Sequence, residues 1–359
     1  MQHTRRVIVI HSPHSGRSTQ LTQALTYLQQ TQTEIVTVLS IAELDSLPAQ
    51  GPSWQDAGID CAIAAGGDGL VGGVINHIAT CGLPLGILPL GTANDIARSL
   101  NIPQELRAAA ETIAHGKISE IDIGAARPAE QAPLDAASGN YPSPDQHGFF
   151  AHALTVGLNV QFARLATNVA TRQRYGRMTY PYAAFEVMKS HTPLEMHCTF
   201  EGLLLLPHNH SFFNQSLATP STLSEEPVHL SLRALQATII NAPIFGGQWS
   251  IALPGASLTD RLLDIVVIED VELGRLNTIF THLFNQQELH TSTPSSPDHP
   301  PHMQQAELTG IPGIHHVQAR GVTITTHADP QDVTLDGEIR GRTPTHVHMA
   351  EQRLRVIVP

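Results

Sequence analysis

In the first third of the chain, short apolar and β-branched runs alternate with stretches whose apolar positions recur at helical spacing. The runs are Val7 to Ile10, Glu34 to Leu39, Ala62 to Ala65, Leu85 to Pro89 and Ile118 to Ile123, each of strand length. Between them, Ser18 to Gln30 sets Leu21, Leu25 and Leu28 on one helical face, and Pro103 to His115 reads as a helix opening with proline, whose fixed φ suits a first turn. Strand, helix, strand, helix in this order predicts a parallel sheet with crossover helices.

The pattern changes near residue 125. Residues 126 to 148, ARPAEQAPLDAASGNYPSPDQHG, read as a linker or an inserted surface loop. Beyond it Val160 to Lys189 is a helical candidate, whereas Leu194 to Phe200, His229 to Asn241, Leu263 to Ile268, Val322 to Thr326 and Arg353 to Val358 predict strands of a mostly antiparallel body. A second insert, His290 to Gln305, carries four prolines and reads as a loop. No internal repeat is visible.

A chain of 359 residues exceeds what one core usually serves, so two domains are expected. Twenty Lys and Arg against 32 Asp and Glu give a net charge of −12, which argues against broad binding to nucleic acid phosphates and against general adhesion to an anionic membrane. The longest aliphatic patches, Leu203 to Leu206 and Ile265 to Ile268, are far below the roughly 20 residues of a spanning helix. The run Val7 to Ile10 is too short for a signal-peptide core. Cys61, Cys81 and Cys198 show neither disulfide nor zinc spacing, and a reducing cytoplasm is expected. Among 21 histidines, His346 and His348 would share a strand face as metal ligands do, but no Cys or third spaced His accompanies them, and solvated histidine is the preferred reading.

The chemistry concentrates in two loops. CAIAAGGDGL is a small apolar strand that runs into Gly66-Gly67-Asp68-Gly69, after which Val71, Val74, Ile75 and Ile78 recur at helical spacing. Glycine there lets a ligand approach the backbone, and the helix start favours an anion; the same residues also make a plain strand-to-helix turn. Gly67, Gly69 and Gly72 match the dinucleotide fingerprint in form only, because Ile87 to Leu90 offers no acid for a ribose, and no Walker-type loop is present. A second strand-to-helix loop, Gly91-Thr92-Ala93-Asn94-Asp95, follows on the next strand, so both would open at one carboxyl edge of the sheet.

GGDG followed by GTANDIAR resembles the diacylglycerol kinase catalytic-domain family. Other motifs resemble that family in order: Ser12-Pro13-His14-Ser15-Gly16, Glu120-Ile121-Asp122-Ile123-Gly124, Phe150 to Gly157 with His152 in place of an asparagine, Gly246-Gly247, Leu258 to Asp264, Leu335-Asp336-Gly337-Glu338 and the terminal Arg353 to Pro359. The resemblance implies a Rossmann-like α/β domain over residues 1–125 and a β-sandwich domain over 126–359, with the site in the cleft between them. It also implies an ATP-dependent kinase acting on the hydroxyl of a diacylglycerol-like or long-chain lipid at a membrane surface, with a homodimer as the common family assembly.

By the same resemblance, Ser12, Ser15, Gly16, Ser40, Gly66, Gly67, Asp68, Gly69, Gly91, Thr92 and Asn94 would surround ATP, and Asp68, Asp95 and Asp122 would form an acidic cluster that organises Mg²⁺ through water. Without the resemblance, Asp95 and Asp122 read as a helix cap and a strand-end turn. Asp260 would serve a second, structural metal, although Arg261 stands where the family has glycine and would strain the loop if φ were positive there. Asp336 and Glu338 are the candidates for the base that takes the lipid hydroxyl's proton, with Glu338 slightly ahead; an extended segment would turn both to one side, and a hairpin turn with two solvated acids is the alternative. Arg164, Arg172, Arg174 and Arg177, interleaved with Phe162, Leu165, Tyr175 and Met178, read equally as a peripheral membrane contact or as a solvated helix face.

The sequence also departs from the family pattern. Leu70, Gly72 and Gly73 replace a threonine, an asparagine and a glutamate on the helix start, and Ser12 replaces an asparagine. Each lost donor to a charged phosphate is worth about 1.5–3 kcal/mol, so a descendant that binds nucleotide or lipid without catalysis stays open beside the enzyme. An NAD kinase shares GGDG, but GTAND and the D-G-E stretch weigh against it.

Overall fold

The computed structural model describes residues 4–12, 18–47, 51–129, 147–158, 192–204, 223–245, 251–253, 255–270, 313–327 and 329–359, with 160, 174 and 187 as isolated positions. Ser15, Gly16, Gly246, Gly247, the insert 290–305, most of the linker and most of the helical candidate 160–189, including Arg164, Arg172 and Arg177, lie outside the described residues.

The first unit is built on β1 (Arg5–His11), α1 (Ser18–Gln30), β2 (Thr33–Ser40), α2 (Ile41–Ser46), α3 (Gly51–Asp56), β3 (Cys61–Gly66), α4 (Asp68–Ile78), β4 (Leu85–Pro89), α5 (Asp95–Ser99), α6 (Leu106–His115) and β5 (Lys117–Ile121). Strands β2, β1, β3 and β4 lie side by side and parallel. Their unbroken apolar runs suit that placement, because helices cover both faces of a parallel sheet; every residue of β3 and β4 is buried. Helix α6 starts at Leu106 and not at Pro103, because the Glu105 carboxylate accepts from the backbone N–H groups of Arg107 and Ala108 at 3.0 and 2.8 Å and so caps the helix there.

The second unit holds β6 (Gly124–Pro128), β7 (Gly148–Phe150), β8 (Ala153–Gly157), β9 (Leu194–Leu204), β10 (Val228–Ile240), β11 (Ile244–Phe245), β12 (Ile251–Ala252), β13 (Leu263–Glu269), β14 (Ile314–Thr326), β15 (Asp332–Leu335), β16 (Glu338–Arg342) and β17 (Thr345–Met349). Apart from the small β11–β12 pair, these strands form one antiparallel, sandwich-like sheet. The long strands β10 and β14 change partners along their length. Residues 228–234 of β10 pair with β9 and 236–240 with β8, while β14 pairs with β13 at its start and with β17 further on, and β9 bridges the two. Phe150 and Phe200 are fully buried in the core so enclosed.

The last strand, β18 (Leu354–Val358), does not belong to that sheet. It lies between β4 and β5 in the first sheet, parallel to β4 through Val356 and Leu85 and antiparallel to β5 from Leu354–Ile121 to Val358–Lys117. The sequence boundary, which assigns everything after residue 125 to the second unit, is therefore corrected here: an apolar run such as LRVIV fits either sheet, and only pairing decides. Because β18 is an interior strand, deletion of residues 354–359 is expected to abolish the cooperative unfolding transition followed by circular dichroism, whereas a frayed terminus would lower the melting temperature by a few degrees at most.

Candidate active site

The ends of β1, β2 and β3 come together at one edge. His11 is in register with both Ser40 and Ala65, and Gly66 with Pro89, so Ser12, Ser40, the Gly66–Gly69 turn and the Gly91–Asp95 loop all leave the sheet at its carboxyl edge. The two glycine loops touch backbone to backbone. A Cβ added at Gly91 would lie 2.3 Å from the Gly67 Cα, so glycine is a steric requirement there. The loops are also tied by polar bonds: Leu90 N–H donates to the Gly66 carbonyl at 3.0 Å, and Ile96 N–H donates to Asp68 Oδ1 at 2.9 Å. Asp68 thus holds the second loop to the first.

Two residues expected at the nucleotide spend their side chains within the protein. Asn94, in the left-handed region at φ 54, accepts from Gly91 N–H at 2.9 Å and donates to the Gly91 carbonyl at 3.2 Å and to Gln104 Oε1 at 3.1 Å. It shapes the loop and is buried. Ser40 forms a capping box with Glu43, accepting from Glu43 N–H at 3.3 Å while its own N–H donates to Glu43 Oε2 at 2.7 Å. Ser12 is half-buried and Thr92 is exposed at the tip of the second loop.

The acids expected to organise the metal through water take different partners within the protein. Asp122 is fully buried and accepts from Arg261 N–H at 2.8 Å and from Arg353 Nε at 2.9 Å, with Arg261 Nη1 at 3.5 Å. Asp95 is buried, with His152 Nε2 3.7 Å from its Oδ2.

At the second expected metal position, Arg261 does adopt a positive φ, 63°, the conformation that costs a non-glycine residue roughly 1–2 kcal/mol. Asp260 accepts from Leu262 N–H at 3.0 Å; burial raises its carboxyl pKa, against that hydrogen bond, and the like charges of Asp264 and Asp122 add to the rise. Asp264 is itself held by His316 at 2.6 Å and Gln318 at 3.0 Å. Among the described residues, no three His, Cys, Asp or Glu side chains converge as metal ligands. With Asp122 held by two arginines, the described side chains do not fit a magnesium ion ligated directly by Asp68, Asp95 and Asp122.

Asp336 and Glu338 part company. Asp336 and Gly337 are the central residues of the β15–β16 turn and Glu338 opens the next strand; positive φ at both central residues, 49 and 91, turns the chain and sends the two carboxylates in different directions. Asp336 is buried and accepts three backbone N–H bonds, from Ala151 at 3.0, His152 at 2.9 and Ala153 at 3.0 Å. Burial pushes its pKa up, against the His152 charge and those three donors. It also occupies the space over Gly72, where a Cβ would come within 2.7 Å of Asp336 Oδ2. Glu338 is exposed, and its Oε1 lies 3.6 Å from the place a Cβ would take on Gly69. Of the two candidate bases, Glu338 is the exposed one. Arg340, which sequence reasoning did not single out, donates to Glu338 Oε2 at 3.1 Å; its signal was alternation, since residues two apart on a strand share a face.

The two units are locked behind this hairpin. Asn76 of α4 donates to the Phe149 carbonyl and accepts from its N–H, both at 2.8 Å, and Asn241 donates to the Asp122 and Ala151 carbonyls. His147, 1% exposed, packs its ring over Gly341 of β16, and burial lowers its pKa from 6.5 to about 4.

Residues 6–126 match the model of the diacylglycerol kinase catalytic domain, and residues 153–294 match that of the YegS C-terminal NAD kinase beta sandwich-like domain. A diacylglycerol kinase of Bacillus subtilis is 23% identical over 99% of this chain and 97% of its own length. An uncharacterized protein of Synechocystis is 25% identical over 83% of this chain; that match spans 54%, about half, of the Synechocystis protein. A crystal structure of a candidate diacylglycerol kinase of Bacillus anthracis superimposes with a TM-score of 0.62 at 18% identity, covering 100% of this chain and 98% of that one, and shows the same fold.

Gly72→Ala is expected to cost about 1–3 kcal/mol in urea unfolding, because a methyl group there must displace Asp336 from its three donors. The second expectation concerns pH. An unfolded histidine takes up a proton near 6.5 and folded His147 only near 4, so within that window the unfolded chain binds more protons and stability falls as the pH drops. His147→Asn, a residue that tolerates the left-handed φ of 66, should flatten the fall of melting temperature between pH 7 and 4.5.

Proposed function

Because this chain belongs to the diacylglycerol kinase catalytic-domain family, we propose that it is an ATP-dependent lipid kinase that transfers the γ-phosphate to a hydroxyl of a diacylglycerol-like or long-chain lipid. The observation that carries the reading is the placement of an exposed carboxylate, Glu338, over Gly69 in the first turn of α4. No side chain caps that helix start, and its first N–H groups are the kind that receive phosphate.

In the proposed reaction Glu338 accepts the hydroxyl proton as the oxygen attacks the γ-phosphorus. The bond from that phosphorus to the β,γ-bridging oxygen breaks, and ADP leaves with the electron pair. Phosphoryl transfer asks mainly for positioning and charge stabilisation, which the interlocked glycine loops and the hairpin would provide. Magnesium enters this reading as the ion carried on the nucleotide's own phosphates, where it neutralises charge. No helix among the described residues is long and apolar enough to cross a membrane, and the lipid is proposed to reach the cleft from a membrane surface.

A second reading, a descendant that binds nucleotide without transferring phosphate, is favoured by Leu70, Gly72 and Gly73 on the helix start and by the capture of Asp122 by two arginines. The two separate in one assay: transfer from radiolabelled ATP with Mg²⁺ to lipid extracts and to NAD. The kinase labels a lipid; Glu338→Gln lowers that rate by about 10²–10⁴ with folding unchanged. Asp336→Asn acts mainly on melting temperature. Absence of label from every fraction would leave the second reading, and label in NAD alone would replace both.

A further inference from the structure

Gly69, Gly72 and Gly73 fall on one face of α4, at the three- and four-residue spacing of neighbours on a helix. The β15–β16 hairpin crosses that face, with Asp336 over Gly72, Glu338 over Gly69 and Arg340 at the margin of Gly73, where a Cβ would stand 3.2 Å from Ile41 Cδ1 and 3.9 Å from Arg340 Nη2. Asp336 is committed to the backbone of Ala151, His152 and Ala153. Glu338 and Arg340 are left facing the cleft as an ion pair of 3.1 Å, and the partners are unequally placed: the arginine side chain is 17% exposed and the glutamate 51%.

An arginine presents five donors in a fixed fork, stays charged at any physiological pH, and matches phosphate geometry. The contact with Glu338 engages one of its nitrogens. A polyphosphate arriving on the first turn of α4 would meet Asp68 and Glu338, both acidic, and beyond backbone N–H groups Leu70, Gly72 and Gly73 have no side-chain donor to give it. Charge complementarity has to come from across the cleft, and Arg340 is already packed against the helix that would receive the phosphates.

We propose, resting on the kinase reading above, that Arg340 is a nucleotide phosphate-binding residue: it supplies from the second unit the donors that α4 lacks, and it lets go of Glu338 when phosphate arrives. In this arrangement the carboxylate competes with the nucleotide for the guanidinium in the resting state.

The test is calorimetric titration of the full chain with the non-hydrolysable ATP analogue AMP-PNP plus Mg²⁺, and separately with adenosine, which has no phosphate. Arg340→Met should weaken AMP-PNP by about tenfold or more and leave adenosine unchanged. Glu338→Gln, which removes the competing charge, should tighten AMP-PNP severalfold. Unaltered AMP-PNP binding by Arg340→Met, or equal losses for AMP-PNP and adenosine, overturns the proposal. Should Arg340→Met fail to fold, Glu338→Gln decides alone, because unchanged or weaker binding overturns it equally. A wild-type chain that binds AMP-PNP beside an unaffected Arg340→Met defeats only this assignment; a wild-type chain that binds no AMP-PNP defeats the kinase reading with it.

Discussion

Three backbone N–H groups converge on the carboxylate of Asp336, and much of the site hangs from that convergence. The donors come from the turn between β7 and β8, the acceptor from the β15–β16 hairpin, and the space the carboxylate occupies from the bare Gly72 of α4. A buried carboxylate is expensive unless its lone pairs are filled, and filling them with main-chain donors fixes the hairpin in distance and direction at once. Glu338 and Arg340 inherit their positions from this anchor. Gly72, which looks like a loss when α4 is compared with its family pattern, is in three dimensions the socket for the Asp336 carboxylate of the second unit.

A similar economy governs the other junction between the units. Asp122 is sealed from solvent and neutralised by Arg261 and Arg353, one from the second unit's β13 approach and one from the residue that precedes β18. Two guanidinium groups and a backbone N–H satisfy a carboxylate that would otherwise carry a large desolvation penalty. The left-handed backbone at Arg261 is the local cost of bringing its N–H to Asp122. Cationic charge at this place is thus built into the polypeptide.

The parallel half of the fold was legible because strands buried on both faces must be apolar throughout, as β3 and β4 are, and because glycine was compulsory where Gly67 and Gly91 meet. The β18 strand was legible as a strand but not as a member of the first sheet, since its partners β4 and β5 lie more than two hundred positions away and its pattern fits either sheet. Within the site, residue identity ran ahead of geometry. Asp68, Asp95, Asp122, Asp336 and Glu338 were all visible as acids, but which of them faces a substrate depends on hydrogen-bond partners distant in sequence. The turn was signalled locally: Asp-Gly is a pair that accepts positive φ at both positions, and this separates Asp336 from Glu338. Arg340 carried no motif and came into view through its hydrogen bond to Glu338, two residues away on the same face of β16.

The place of β18 also sets an order of events during synthesis. The first sheet lacks an interior strand until residues 354–358 have emerged, so β4 and β5, made early, stay unpaired along facing edges while the whole second unit is translated. At ordinary elongation rates that interval is on the order of tens of seconds. Open strand edges of this kind invite pairing with other chains, and for this protein the vulnerable period ends only when residues 354–358 have been made, so termination before them is far more hazardous than an equally short loss from a surface loop.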